Sequence, residues 1–326
     1  MEGAQTPAGV RGWGDPTGAS APRRLPYTPA ESKRLERKST TNSNTALNYQ
    51  KGFSAMKTTV VSKEYKELHQ SIQELQKKWK KEITPEVVQP KLDKAALQAG
   101  IPVVSLTSFQ FDFPQYLKWI KELTEFLYPN RQSLSGGEQI LNSIMDEETA
   151  QSWIEAAISC NHIYFHEFSE KNQIDEWFPP FVAEMAVRPY LQVLAEKVQN
   201  QVDDWLPGSG CPVCGEPVRL SQLEGDGKKV VHCPRCLFHW NVNRLTCCHC
   251  GNKNHETIRF LTIEEDPASQ IQVCEECHGY TKMIDTRQYL ARPEASMLDL
   301  TTLHLDFIAQ ENGYQAAVGK KDLNNN

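Results

Sequence analysis

From Ser62 onward the chain takes on a helical rhythm. Tyr65, Leu68, Ile72, Leu75 and Trp79 recur at steps of three and four, which puts them on one stripe of an α-helix. The opposite face is mostly Lys, Glu and Gln. Thr84-Pro85 ends this helix, because proline lacks the N–H that a further turn needs. A second helix is predicted after Asp112, a good N-cap, with Leu117, Ile120, Leu123 and Leu127 on one face. A third is predicted from 146 or 147 to about 169, with Trp153, Ala157, Ile158 and Phe165 inward, and a fourth from about 180 to 202. Nothing here alternates like a strand for long, so residues 56–205 read as a helical domain.

At Leu206-Pro207-Gly208 the pattern changes. Short β-type runs at 217–223, 229–232, 238–245, 257–264 and 271–273 alternate with cysteine pairs and Gly/Asp turns. After about Arg292 helical spacing returns in Leu298, Leu303, Leu305 and Ile308, and the closing KKDLNNN is expected to fray. The expected fold class is α+β. It has an N-terminal helical domain at 56–205, a paired four-cysteine ribbon domain at 206–291, and a C-terminal helix and tail at 292–326.

Residues 1–55 show no apolar period and are rich in Gly, Pro, Ser, Ala and Arg, so they are expected to form a disordered basic extension. Met56 opens the first patterned segment, and Lys51-Gly52 lies where a purine-rich ribosome-binding sequence could be encoded. Met56 is therefore an alternative start, which mass spectrometry of the native N-terminus decides. The extension carries eight Lys/Arg and four Asp/Glu, a balance of +4. The whole chain has 35 basic and 41 acidic residues, leaving 27 and 37 after residue 55, or −10. An acidic body argues against nucleic acid as partner, since such binding rests on neutralising phosphates. No run of 18 apolar residues exists to span a membrane, and no secretory signal opens the chain, so a cytoplasmic protein is expected.

Nine of the ten cysteines fall between 211 and 277, and only Cys160 stands apart. In a cytoplasmic chain such clustering reads as metal ligation before disulfides. Four Cys-x-x-Cys pairs are present, Cys211/Cys214, Cys233/Cys236, Cys247/Cys250 and Cys274/Cys277, separated by 18, 10 and 23 residues. In so tight a knuckle both sulfurs point to one side, and a glycine after the second cysteine allows the left-handed turn that completes it. Gly215 and Gly251 stand there, and Gly279 sits one residue late after Cys277. Two facing knuckles make a tetrahedral four-sulfur site suited to zinc or iron.

Of the three possible pairings, local grammar favours the sequential one. GEPVRLSQLEGDGKKVVH joins the first two pairs as a hairpin, and ETIRFLTIEEDPASQIQV repeats that grammar between the last two. Site one is then Cys211, Cys214, Cys233 and Cys236, and site two Cys247, Cys250, Cys274 and Cys277, with an interleaved pairing as the alternative. Cys248 is left over. His232, His239, His249, His255 and His278 crowd the region, but eight cysteines already fill two sites, so the histidines are expected on the surface or as hydrogen-bonding neighbours. Four sulfurs leave no open coordination position, so each site reads first as a structural staple for a ribbon too thin to have its own core. Disulfide exchange would want a pair opening a helix beside a parallel sheet, and neither is visible.

LSGGEQ at 134–139 matches the signature string of ATP-binding-cassette ATPases, but the phosphate-cradling Gly-x-x-x-x-Gly-Lys-Ser/Thr loop it works against is missing from the sequence. The better reading is a turn leading into a helix with Ile140, Leu141 and Ile144. No nucleophile–base constellation stands out either, and an enzyme is not expected.

At the cysteine region the chain resembles the FdhE family, the formate dehydrogenase accessory proteins. The resemblance is carried by CPVCGEPV at 211–218 and by HCPRCLFHWNVNRLTCCHC at 232–250, where Trp240 and Arg244 stand between the knuckles as in the family. It continues in VCEECHGYTKMID at 273–285, with its Tyr280 and Lys282, and in LDLTTLHLDFIAQENGY at 298–314. RPYLQVLAEKV at 188–198 fits more loosely, and the whole likeness spans residues 90 to 315. The basic extension, Thr281 where an aliphatic residue is usual, and Cys248 depart from the family pattern, and none is a proposed ligand. The resemblance implies two tandem rubredoxin-like/zinc-ribbon modules, each holding iron or zinc. It also implies a cytoplasmic maturation factor acting on the catalytic subunit of a molybdenum- or tungsten-containing formate dehydrogenase rather than oxidising formate. The alternative, from a different class, is a zinc-ribbon nucleic-acid binder, for which Arg235, Arg244, His249, Lys253 and Arg259 could touch phosphate.

Overall fold

The computed structural model describes residues 60–127, 146–202, 210–263 and 266–316. The expected extension at 1–55 with its alternative start, LSGGEQ and the helix of Ile140, Leu141 and Ile144, and the final KKDLNNN lie outside the described residues.

The helical half is built round one buried helix. α1 (Lys63–Glu82) begins where expected, with the Ser62 hydroxyl accepting from the Tyr65 N–H. Two short strands, β1 (Val88–Gln89) and β2 (Ser108–Phe109), pair antiparallel around the small helix α2 (Lys94–Gln98). In α3 (Phe113–Leu127), Asp112 accepts from the Gln115 N–H and so acts as the cap. The single helix expected from 146 to about 169 is in fact two, α4 (Glu147–Ser159) and α5 (His162–Asn172). Cys160 ends α4 in the left-handed region (φ 59), and Asn161 caps α5 by accepting from the Tyr164 N–H. Breaking there lets Trp153 meet Phe165 and Phe168 edge-on, with centroids 5.7 and 5.0 Å apart.

α6 (Phe178–Val198) is buried on nearly every side, as a helix apolar all round must be. Pro189 lies inside it and cannot donate to the Met185 carbonyl one turn back. Gln76 of α1 supplies the missing donor, its Nε2 lying 3.0 Å from that oxygen. Gln76→Leu would leave the carbonyl buried and unpaired. A loss of about 1–3 kcal/mol in urea unfolding is expected, and an unchanged midpoint would contradict this account of the Pro189 turn.

The cysteine-rich half is one sheet rather than two separate ribbons. β3 (Leu220–Glu224), β4 (Lys228–His232) and β5 (His239–Val242) form one antiparallel set. β6 (Ile258–Ile263), β7 (Asp266–Cys274) and β8 (Tyr280–Asp285) form the other. A parallel pairing of β3 with β8, Leu220 opposite Lys282 through Leu223 opposite Asp285, fuses them in the order β5-β4-β3-β8-β7-β6. β7 outruns the expected 271–273, and β8 was not foreseen. The C-terminal helix expected after Arg292 is a pair, α7 (Ala295–Thr301) and α8 (Leu303–Glu311), broken at Thr302. Leu298, Leu305 and Ala309 from this pair pack on Leu220, Ile271, Val273 and Ile284 of the sheet. Among the described residues no helix is long and apolar enough to cross a membrane.

Candidate metal centres

Each knuckle is closed by the same backbone pattern. The N–H of its first cysteine donates to the carbonyl two residues past its second: Cys211 to Glu216, Cys233 to Phe238, Cys247 to Asn252 and Cys274 to Gly279, at 2.7–3.0 Å. The residue after the second cysteine is left-handed in all four: Gly215 (φ 73), Leu237 (φ 65), Gly251 (φ 76) and His278 (φ 54). The sequence pattern explains the two glycines. At Leu237 and His278 the turn is imposed on side chains that disfavour it by about 1–2 kcal/mol, so the knuckle dominates local preference.

Gly279 therefore does not serve as a late turn residue. A Cβ there would lie 2.7 Å from the His249 ring, so Gly279 is what lets the third and fourth knuckles close on each other. Gly279→Ala is expected to cost metal at site two while site one stays loaded. Counting metal per chain by native mass spectrometry checks this, and two ions retained with an unchanged melting temperature would refute it.

The structure brings together Cys211, Cys214, Cys233 and Cys236 in one cluster and Cys247, Cys250, Cys274 and Cys277 in another, with the four sulfurs of each within 4.8 Å of one another. Between knuckles the Sγ atoms are 3.6 Å (Cys211–Cys236), 3.5 Å (Cys214–Cys233), 3.7 Å (Cys247–Cys277) and 3.7 Å (Cys250–Cys274) apart. A disulfide would bring sulfurs to about 2.05 Å. A tetrahedron with metal–sulfur bonds of about 2.3 Å has edges of roughly 3.8 Å, so the donor set fits a zinc- or iron-sized ion. Both clusters could hold a metal ion, and this spacing does not distinguish zinc from iron.

The clusters have different surroundings. The sulfurs of site one, with Val213 and Phe238, belong to the same core as Trp119, Trp153 and the residues of α6. The Val103 and Val104 N–H groups donate to the Pro212 and Val213 carbonyls at 2.9 and 2.8 Å, tying the knuckle to the segment before β2. Site two is smaller and more open. Among the described residues its apolar neighbours are Ile258 and Phe260, and Cys250 is partly exposed.

Arg235, inside the second knuckle, fastens site one to the helices. It is fully buried, with Nε and Nη2 donating to the two Glu184 oxygens at 2.9 and 3.0 Å. Nη2 also reaches the Ala157 carbonyl (2.7 Å) at the end of α4, and Nη1 the Cys214 carbonyl (3.2 Å). The C-terminal carbonyls of a helix have no partner within it, and a cation there satisfies them. Burial pushes the Cys214 thiol up, but hydrogen bonds from Cys211, Cys233 and Cys236 and the Arg235 charge outweigh it and hold Cys214 well below the usual thiol range. In site two the hydrogen bond from Cys277 brings Cys247 down to about 4, against burial.

Among the described residues none of the five histidines joins a cluster. His249 is buried, and since a carbonyl only accepts, its Nε2–H donates to the Tyr280 carbonyl at 2.8 Å. His232 meets Glu224 at 2.8 Å and stacks on His239, while His255 is exposed. Trp240 stacks on Phe238 and packs against the core of site one. Cys248 turns away from site two into a patch of Val218 and Val231. Cys248→Ser is therefore expected to keep two ions per chain by elemental analysis, and loss of one would return Cys248 to the ligand set. Sequence reasoning missed Arg235 and Lys282 as buried structural cations. The only signal for Lys282 was its place in the Tyr-x-Lys run.

A helical domain whose core takes in one four-sulfur cluster, followed by a sheet carrying a second, defines a two-centre cysteine-cluster protein. Its residues 245–321 match the model of the FdhE C-terminal domain. Over 230 residues the chain is 26% identical to the FdhE homolog of Aquifex aeolicus (strain VF5), covering 68% of this chain and 74% of that one. The FdhE homolog of Shewanella baltica (strain OS185) is 35% identical over 113 residues, 33% of this chain and about a third (36%) of that relative. The fold is similar to the crystal structure of the FdhE protein from Pseudomonas aeruginosa, with a TM-score of 0.52 and 20% identity over 75% of this chain and 84% of that one. The likeness to FdhE proteins thus takes in the C-terminal domain at 245–321 and, more distantly, the fold of most of the chain.

Proposed function

We propose that this protein is a formate dehydrogenase accessory factor. It binds the catalytic subunit of a molybdenum- or tungsten-containing formate dehydrogenase in the cytoplasm and is needed for that enzyme's activity, without catalysing a reaction itself. Cys211, Cys214, Cys233 and Cys236 hold one metal ion, and Cys247, Cys250, Cys274 and Cys277 the other. The reading is carried by one observation: two complete four-sulfur clusters in a chain whose residues 245–321 match the FdhE C-terminal domain. Four sulfurs per ion leave no coordination position for a substrate, which supports a scaffold over a metalloenzyme. Zinc there would lock the knuckles, and iron would add a one-electron couple.

The chain's own residues do the rest. Arg235 joins site one to the helices, the β3–β8 pairing joins site two to site one, and the acidic body offers a surface for a protein client. The nucleic-acid alternative loses support because Arg235 and His249 are buried and Arg259 pairs with Glu275 at 3.2 Å, leaving Arg244 and Lys253 as the exposed, unengaged members of that set.

Deleting the gene in its source organism is expected to abolish formate dehydrogenase activity, with rescue by the intact chain and co-purification of the catalytic subunit. Full activity in the deletion strain would overturn the reading.

A further inference from the structure

We infer that the two four-cysteine clusters are coupled, each raising the other's affinity for metal, through a buried chain of polar contacts that runs between them. The inference rests on the reading that both clusters bind metal.

The chain begins at site one, where the Cys211 N–H donates to the Glu216 carbonyl at 2.7 Å. The Glu216 carboxylate accepts from Arg219 Nη1 (2.9 Å), and Arg219 Nε donates to Asp299 Oδ2 (3.1 Å). Lys282 Nζ sits between Asp299 Oδ1 (2.7 Å) and Asp306 Oδ2 (2.9 Å). The Tyr280 hydroxyl donates to Asp306 Oδ1 (2.9 Å), and the Tyr280 carbonyl accepts from His249 (2.8 Å). The His249 backbone N–H in turn points at Cys247 Sγ, a sulfur of site two, at 3.4 Å. The parallel strand pairing keeps the central cations together, with the Lys282 N–H on the Arg219 carbonyl at 2.9 Å.

Every charged member of this chain is largely buried, and Lys282 wholly so (0% exposed). Well-packed apolar side chains in such places are often as stable or more so, so stability alone does not account for two cations and three carboxylates here. What such a network provides is stiffness, since shifting one member strands its neighbour's charge in a low dielectric. An ion at one cluster fixes its knuckles and with them one end of the chain. The second cluster then has less left to order when it binds. The effect is reciprocal, because coupling between binding sites is a shared free energy.

The test is a double-substitution cycle on the full chain. Cadmium binding is measured against a competing chelator, and cadmium NMR, with one resonance per cluster, separates the sites. Cys274→Ser disables site two and is expected to weaken cadmium at site one by about fivefold or more, the lower end of ordinary coupling. Tyr280→Phe removes only the hydroxyl that joins Asp306 to Tyr280. In that background Cys274→Ser is expected to cost site one less than about twofold, since the link is already cut. If Tyr280→Phe fails to fold by circular dichroism, Asp306→Ala cuts the same link together with the Asp306 ion pair to Lys282. Unchanged site-one affinity in folded Cys274→Ser, or an equal loss with and without the link, overturns the coupling alone. Failure of the wild-type chain to bind cadmium at either cluster overturns it together with the metal reading.

Discussion

Replacing Cys214 with serine is expected to unfold the entire chain, while Cys274→Ser removes one ion and leaves the helical half standing. The difference lies in what each cluster is packed into. Site one shares its core with Trp119, Trp153 and α6, and Arg235 lies within one of its knuckles. A structural four-cysteine site contributes on the order of 10 kcal/mol to folding, comparable with the whole stability of a typical domain, about 5–15 kcal/mol. Emptying site one also loosens the knuckle that carries Arg235, so buried Glu184 loses one of its two guanidinium partners. Among the described residues site two has only Ile258 and Phe260 as apolar neighbours, and its loss is expected to fray β6 and the outer part of β7, a local opening rather than a global one. Far-UV circular dichroism with metal counting decides: helical signal lost in Cys214→Ser and kept in Cys274→Ser. Equal melting of the two variants would place both clusters on the same footing and sink this account.

What could be read from the sequence was whatever is written locally. Ser62 and Asp112 act as helix caps because a short polar side chain before an apolar stripe has few other uses. The cysteine pairs announce two four-sulfur clusters because the knuckle is complete within a few residues. Features that depend on distant partners were not legible. Arg235 looks like a surface cation, and its carboxylate, Glu184, lies 51 residues upstream in a helix whose other residues are mostly apolar. β8 was missed because Lys282 breaks the apolar alternation, and it is buried only because Asp299 and Asp306 arrive from the C-terminal helices. The break at Cys160-Asn161 escaped because it uses neither glycine nor proline, the residues that punctuate a helical pattern.

Glu184→Leu is expected to be more damaging than Arg235→Met, although the two residues form one pair. Glu184 serves two guanidinium groups, Arg235 with both oxygens and Arg188 one turn along α6 at 3.2 Å. Removing the carboxylate leaves two cations in a site where Arg235 is wholly buried and Arg188 nearly so. Breaking a buried pair from one side costs about 3–5 kcal/mol, and the stranded Arg235 would also lose its hold on the Cys214 knuckle. Arg235→Met leaves Glu184 still paired with Arg188, while methionine fills much of the vacated volume. The cost is then chiefly the Cys214 carbonyl left without its donor, about 1–3 kcal/mol, since the Ala157 carbonyl keeps the Cys160 N–H at 3.3 Å. Urea unfolding of the zinc-loaded variants, with the metal counted before and after, should rank them in that order, with Glu184→Leu also shedding metal from site one. If Arg235→Met is the more destabilised of the two, Glu184 is not the hub that joins the metal cluster to the helical core.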